Sequence, residues 1–257
     1  MGKVYLIGAG PGAADLITVR GARLLGMADV VLHDALVEPA MLDYAPAHAH
    51  RIAVGKRCGQ RSTAQQFINK QIVDAAQDHA VVVRLKGGDP MLFGRADEEM
   101  RALEAAGIEY EVVPGITAAL ASAASLRRSL TLRGVSRSVA LATHSRAADT
   151  EVIREQVKAD SLVFYMGRDS GPEIAQELID AGRDATTPVA IVEACSTPRE
   201  RMLTLTLEDL AAGEAQQWLD ASQPSLLMIG EAFAARAGQG AFSSSSSSSL
   251  EELMSAA

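Results

Sequence analysis

Asp34, Lys56 and Arg95 are the side chains whose placement could move protons or hold anions. Asp34 closes the strand-like run Val30–His33, and Lys56 follows the short run Arg51–Val54. Residues at the carboxyl edge of an α/β sheet are where such folds carry their ligand chemistry. Spacing alone leaves a plain loop salt bridge open for this pair. The densest stretch is Val81–Arg95, VVVRLKGGDPMLFGR. Apolar residues around Arg84 make a short buried strand, Lys86 ends it, and Gly87-Gly88-Asp89-Pro90 breaks the pattern abruptly. Adjacent glycines let the main chain approach a ligand closely and adopt φ > 0. Asp89 offers an acceptor for ribose hydroxyls or a ligand ammonium, Pro90 stiffens the exit, and Arg95 brings a cation to the same neighbourhood.

Other motifs are weaker alone. Gly8-Ala9-Gly10-Pro11-Gly12 after a first strand invites a dinucleotide reading, and with it a nicotinamide-dependent reductase. The fingerprint is met only loosely at Ala13, and Pro11 sits where the turn should enter a helix. A tight structural turn is the competing reading. His48 and His50 have no carboxylate nearby in sequence and give no metal-ligand set. No GxSxG, HExxH or GxxxxGK[ST] pattern supports a hydrolase or nucleotidase. Tyr165-Met166-Gly167 and Glu193-Ala194-Cys195-Ser196 each end a strand with residues that could pack in a core or admit a ligand.

The elements that must position these residues follow from apolar runs and their punctuation. Strands are expected at Lys3–Ile7, Val30–His33, Arg51–Val54, around Arg84 and at Glu109–Val113. Helices are expected near Thr18–Met27, from Thr63 to Gln77 with Phe67, Ile68, Ile72 and Val73 on one face, and at Ala96–Ala106. Asp97, Glu98 and Glu99 suit the start of the last of these, and Gly107 its end. A small-residue helix, Ala118–Ala124, follows Pro114-Gly115. The second half reads as strands at Ser138–Thr143, Leu162–Met166, Val189–Glu193, Met202–Thr206 and Leu226–Ile229, with a helix at Pro172–Ala181. Two α/β domains are therefore expected, over residues 1–114 and 115–236, the first with a parallel sheet and the second with a mixed one. Residues 237–257, with seven consecutive serines, form a low-complexity tail expected to be disordered.

Composition bounds the class. Hydrophobic residues make up 48% and charged residues 22% of the 257, ordinary for a globular chain, and no apolar run is long enough for a membrane span. The chain enters its first strand directly, without a signal or transit pattern, so the cytoplasm is the expected compartment. Cys58 and Cys195 show no metal spacing and are expected as reduced thiols. A net charge of -8 argues against a general nucleic-acid binder. Two windows run against it: Tyr44–Val73 holds Arg51, Lys56, Arg57, Arg61 and Lys70 with no acid, and Val112–Ala148 holds Arg127, Arg128, Arg133, Arg137, His144 and Arg146 with none. They are either solvated loops or a local site for a polyanionic small molecule.

Seven collinear segments, GAGPG (8–12), HDALV (33–37), VGKR (54–57), RLKGGDPMLFGR (84–95), VVPGIT (112–117), FYMG (164–167) and VEACSTP (192–198), together resemble the tetrapyrrole methylase family over residues 3–232. The resemblance implies two α/β domains with S-adenosylmethionine folded into the cleft between them, in a homodimer. It implies two methyl transfers to pyrrole carbons of uroporphyrinogen III, giving precorrin-2 for sirohaem, cobalamin or haem d1, with a later precorrin methylase as the nearest alternative. Position by position, the donor contacts it implies are Pro11, Gly87, Gly88, Asp89, Leu92, Thr117, Ala118, Met166, the backbone near Cys195, and Ser225. Asp34 and Lys56 fall on the proton-transfer positions. Arg95 would bind a carboxylate or polarise the reacting ring, and Glu98, three residues on, would orient it or receive a proton. Arg127, Arg128, Arg133, Arg137 and His144 would meet the carboxylates of the macrocycle. A non-enzymatic sensor would bind the same ligands without turnover.

Overall fold

The computed structural model describes residues 1–54, 63–144 and 158–235. Lys56, Arg57, Cys58, Arg61, Arg146 and the Ser-rich tail lie outside the described residues. The chain divides into two units, Met1–Ala118 and Ala119–Ala257, so the division falls just inside the small-residue helix rather than after residue 114.

In the first unit the β-branched runs Lys3–Gly8 (β1), Val30–His33 (β2), His50–Ala53 (β3), Val81–Lys86 (β4) and Tyr110–Val113 (β5) form one sheet in the order β3-β2-β4-β1-β5. Every pairing is parallel. Parallel sheets need cover on both faces, which explains the near-continuous burial of β1, β2 and β4. On one face Val4, Leu6, Leu32 and Val82 pack with Ile68, Ile72 and Leu103, the last three from Thr63–Asp78 (α2) and Ala96–Ala105 (α3). On the other, Ile7, Val31, Val83 and Leu85 pack with Met41 and with Leu25 of Val19–Leu25 (α1). Each such side chain removed from water contributes about 1.5–3 kcal/mol. One expectation fails on α2. Phe67 is 62% exposed, and the buried face is Gln65, Ile68, Ile72 and Ala76. The observed spacing of three and four residues keeps to one stripe, and Phe67 lies beside it.

Because all five strands run the same way, their carboxyl ends, at Gly8, His33, Ala53, Lys86 and Val113, lie along one edge. That shared edge brings together residues distant in sequence.

The second unit follows from Ala118–Ser125 (α4). Its strands, Val139–Thr143 (β6), Ser161–Tyr165 (β7), Pro188–Glu193 (β8), Arg201–Thr206 (β9) and Ser225–Ile229 (β10), make a sheet ordered β6-β7-β10-β8-β9. Only β6 and β7 are parallel; the other pairings are antiparallel, so the sheet is mixed, as the sequence suggests. The last two strands do not pair with each other. β8 lies between them, and Gly171–Asp180 (α5) and Leu207–Ala211 (α6) contribute Ile174, Ala175, Leu207 and Leu210 to its core.

The start of β6 is braced by Asp160, whose carboxylate accepts from the backbone N–H groups of Arg137 and Ser138 and from the Ser138 hydroxyl. These bonds, the Arg137 amide first and the Ser138 hydroxyl next, hold its pKa below the ordinary 3.8. The unfolded chain therefore binds this proton at a higher pH than the folded one. The stabilisation is fully present above about pH 4 and is lost as pH falls through the depressed value. We expect Asp160→Asn to weaken the fall of the urea midpoint below that pH. Parallel midpoint-against-pH curves for variant and wild type would refute this.

Candidate functional site

Three glycines knit the edge of the first sheet. A Cβ on Gly8 would lie 2.6 Å from the Gly115 Cα and 2.7 Å from the Gly88 carbonyl oxygen. On Gly115 it would collide with the Gly88 carbonyl oxygen and lie 2.8 Å from the Gly8 Cα. The backbones leaving β1, β4 and β5 thus touch where any side chain would part them. Gly10 and Gly88 exchange backbone hydrogen bonds of 3.1 and 2.7 Å, tying the GAGPG loop to the GGDP turn. That loop leads only into a three-residue 3-10 turn, Ala14–Leu16, and α1 starts at Val19 with Thr18 as its cap. The dinucleotide fingerprint, which needs a helix N-terminus against the glycines, is not built.

Asp89 spends both carboxylate oxygens on the same edge. Oδ1 accepts from the Met91 amide at 2.8 Å and Oδ2 from the Gly115 amide at 2.9 Å. It braces two turns and keeps lone pairs for a ligand. Gly88 has φ +67°, and a Cβ there would find only the Thr117 Cα at 4.0 Å, while one on Gly87 would meet only the Leu36 Cβ at 3.5 Å. Open glycine backbone of this kind lets a ligand lie against the main chain. Pro11, Leu92, Thr117 and Ala118 lie in or beside the turns that leave β1, β4 and β5.

Asp34 stands one residue beyond β2, its amide bonded to the Leu85 carbonyl at 3.1 Å, and its side chain keeps 29% of its surface exposed. Its Oδ1 accepts from the Nη2 of buried Arg84. Arg84 in turn donates through Nε to Glu99 Oε1 at 3.0 Å, and Lys86 Nζ donates to Glu99 Oε2 at 2.9 Å. Burial opposes the charge of Arg84, but Asp34 and Glu99 more than offset it and raise its pKa. For Lys86, burial and then the Arg84 guanidinium lower the pKa, with Glu99 and Asp34 resisting. Arg95 caps the start of α3 at φ +54° and grips Glu98 in a fork, Nε to Oε1 at 2.6 Å and Nη2 to Oε2 at 2.8 Å. Both are half exposed, so the pair is free to meet a ligand.

In the second unit Met166, 54% exposed at φ +54°, follows β7. Ala194 and Ser196, after β8, also have positive φ, 49° and 59°. Backbone strain of this kind in non-glycine residues concentrates at functional loops. Cys195 between them is buried, and burial pushes its thiol up to about 11, so its side chain is packing rather than chemistry. The Ser225 hydroxyl at the start of β10 is buried with no hydrogen-bond partner among the described residues.

The basic residues expected to meet the substrate divide. Arg127, Arg133 and Arg137 are exposed. Arg128 is buried, its Nε donating to the Ala234 carbonyl at 2.9 Å, which makes it a structural clamp instead. His144 lies 3.6 Å from Glu177. Arg84, Lys86 and Glu99 join the site without standing out in the sequence as site residues. For Arg84 and Lys86 the signal is a pair of charges at alternate positions of an otherwise apolar strand; Glu99 on α3 carries none.

A five-stranded parallel sheet whose glycine turns and paired charges share one edge, followed by a mixed sheet with strained strand ends, defines a two-unit α/β enzyme class. Residues 3–211 match the Tetrapyrrole (Corrin/Porphyrin) Methylases, and the chain belongs to that family. Uroporphyrin III C-methyl transferase from Thermus thermophilus is 39% identical with a TM-score of 0.78, covering 90% of this chain and 98% of that one. A structure of the Thermus thermophilus enzyme complexed with S-adenosyl homocysteine is 38% identical with a TM-score of 0.77, covering 90% and 93%. Siroheme synthase from Stutzerimonas stutzeri is 45% identical over 234 residues, 90% of this chain and 50% of the relative. The chain spans about half the length of the curated relatives it matches.

Proposed function

We propose that this chain is an S-adenosylmethionine-dependent C-methyltransferase that methylates uroporphyrinogen III twice to give precorrin-2. The single observation that carries the reading is the Gly8–Gly88–Gly115 contact with open backbone at Gly87 and Gly88, in a chain 38% identical to a relative solved with the demethylated donor. The donor supplies an electrophilic methyl group on a sulfonium. Pro11, Gly87, Gly88, Asp89, Leu92, Thr117, Ala118, Met166, the backbone at Cys195, and Ser225 are the residues we assign to holding it. The spare lone pairs of Asp89 suit a ligand rich in hydroxyl and amino donors.

Displacement at a methyl carbon depends above all on alignment, so the chain's main task is positioning. Arg95, oriented by Glu98, binds a substrate carboxylate or polarises the reacting pyrrole. Asp34 then accepts the proton that the methylated macrocycle sheds, with Lys56 as donor or carboxylate partner. Arg127, Arg133, Arg137 and His144 are the remaining candidates for the substrate's carboxylates. A cytoplasmic homodimer, acting without nucleic-acid or membrane partners, completes the reading and rests on the family likeness; no described helix is long and apolar enough to cross a membrane.

The test is anaerobic incubation with uroporphyrinogen III and S-adenosylmethionine, followed by mass spectrometry. We expect two added methyl groups. Donor binding without methylation would move the substrate to a later precorrin, and no donor binding would sink the reading.

A further inference from the structure

Buried ion networks are poor stabilisers, since desolvation offsets most of their attraction and apolar replacements often fold as well or better. The first unit nevertheless buries three charged side chains together, with Arg84 and Lys86 2% exposed and Glu99 1% exposed. Arg84 and Lys86, two residues apart on β4, project from one face of the sheet. Glu99 comes from the first turn of α3 and is shared between them, one oxygen to each. The Gln65 side-chain amide, from α2, also donates to it at 3.4 Å.

The guanidinium of Arg84 is thereby held at several corners. Nε is on Glu99, Nη1 on the Leu85 carbonyl at 3.1 Å, and Nη2 on Asp34. A planar guanidinium held at both Nε and Nη1 has little freedom left in where Nη2 points. Lys86 completes the electrostatics. Without it one guanidinium would face two carboxylates; with it the group holds two cations and two anions. Asp34 is the member at the open end, with 29% of its side chain exposed.

We propose that Lys86 and Glu99 are positioning residues that act through Arg84 to fix the Asp34 carboxylate for proton transfer. This rests on the methyltransferase reading given above. Neither residue reaches the surface, so neither touches substrate. Each sets where the Asp34 oxygens lie.

The experiment uses the charge-balanced variant Lys86→Met/Glu99→Leu, which leaves Arg84 and Asp34 as a neutral pair. Steady-state turnover of uroporphyrinogen III with S-adenosylmethionine should show kcat down about tenfold and KM for the donor unchanged. In an Asp34→Asn background the same two substitutions should cost almost nothing, because the group they position has gone. If the double variant does not fold, Glu99→Asp keeps every charge and shortens the arm, and its kcat should fall several-fold. Normal kcat in whichever variant folds, or an equal loss in the Asp34→Asn background, overturns the positioning role. Wild-type protein that does not methylate uroporphyrinogen III overturns the functional reading instead, which keeps the two failures apart.

Discussion

Gly115→Ala should cost the first unit about 3 kcal/mol or more, at the upper end of what overpacking a close-packed site costs. The new methyl would overlap the Gly88 carbonyl oxygen and sit 2.8 Å from the Gly8 Cα and 3.0 Å from the Gly8 carbonyl carbon. All three obstacles are backbone atoms, two at the end of β1 and one in the turn after β4, and backbone has no rotamer to retreat into. The amide of Gly115 also donates to Asp89, so displacement would unfasten the GGDP turn. A loss of that size is a large share of a typical domain's stability, and it should appear as a lowered urea midpoint with lost donor affinity. Gly87→Ala is the matched contrast. Its methyl would meet only the Leu36 Cβ at 3.5 Å, an ordinary contact, so the fold should persist while donor binding weakens. A Gly115→Ala protein with wild-type midpoint would show that the three strand ends are not packed as described. Loss of folding in Gly87→Ala would show that this glycine serves the fold rather than a ligand.

The glycine contact illustrates what the sequence could and could not reveal. Gly8, Gly88 and Gly115 each stand out locally as breaks after apolar runs, so the strands and their ends were legible to within one or two residues. Their mutual contact was not, because it is created by the strand order β3-β2-β4-β1-β5, which pairs β1 with both β4 and β5. The same holds for charge. Glu99 reads as one of three acids suited to a helix N-terminus, yet it is the one that turns inward to Arg84 and Lys86 while Asp97 and Glu98 stay exposed. Helical phase decides this, and one residue of phase separates a solvated acid from a buried one. Arg128 shows the converse. An acid-free basic window counts charges without saying which side chains turn inward, and Arg128 is buried with its Nε on the carbonyl of Ala234. Phe67 misled for a related reason: its size suggests core, but its position on α2 lies off the buried stripe.

Asp34→Asn should leave the fold and the donor site intact and still lower kcat by about a hundredfold or more, the usual contribution of a positioned general base. Asparagine has the same shape, and its side-chain oxygen can still accept from Arg84 Nη2, so the buried network loses a charge but not its geometry. The lost function is proton acceptance, for which an amide has no capacity near neutral pH. A hundredfold is about 2.7 kcal/mol of barrier. Calorimetric titration with S-adenosylhomocysteine should give an affinity within about twofold of wild type, since the residues assigned to the donor do not include Asp34. If turnover instead stays near wild type, the proton leaves by another route, and the Arg95–Glu98 fork, half exposed and already aligned, becomes the place to look. If turnover and donor affinity fall together, Asp34 acts by holding the first unit's edge in shape rather than by chemistry. Only a loss confined to kcat is consistent with a carboxylate held in place by three buried charges for the purpose of taking a proton.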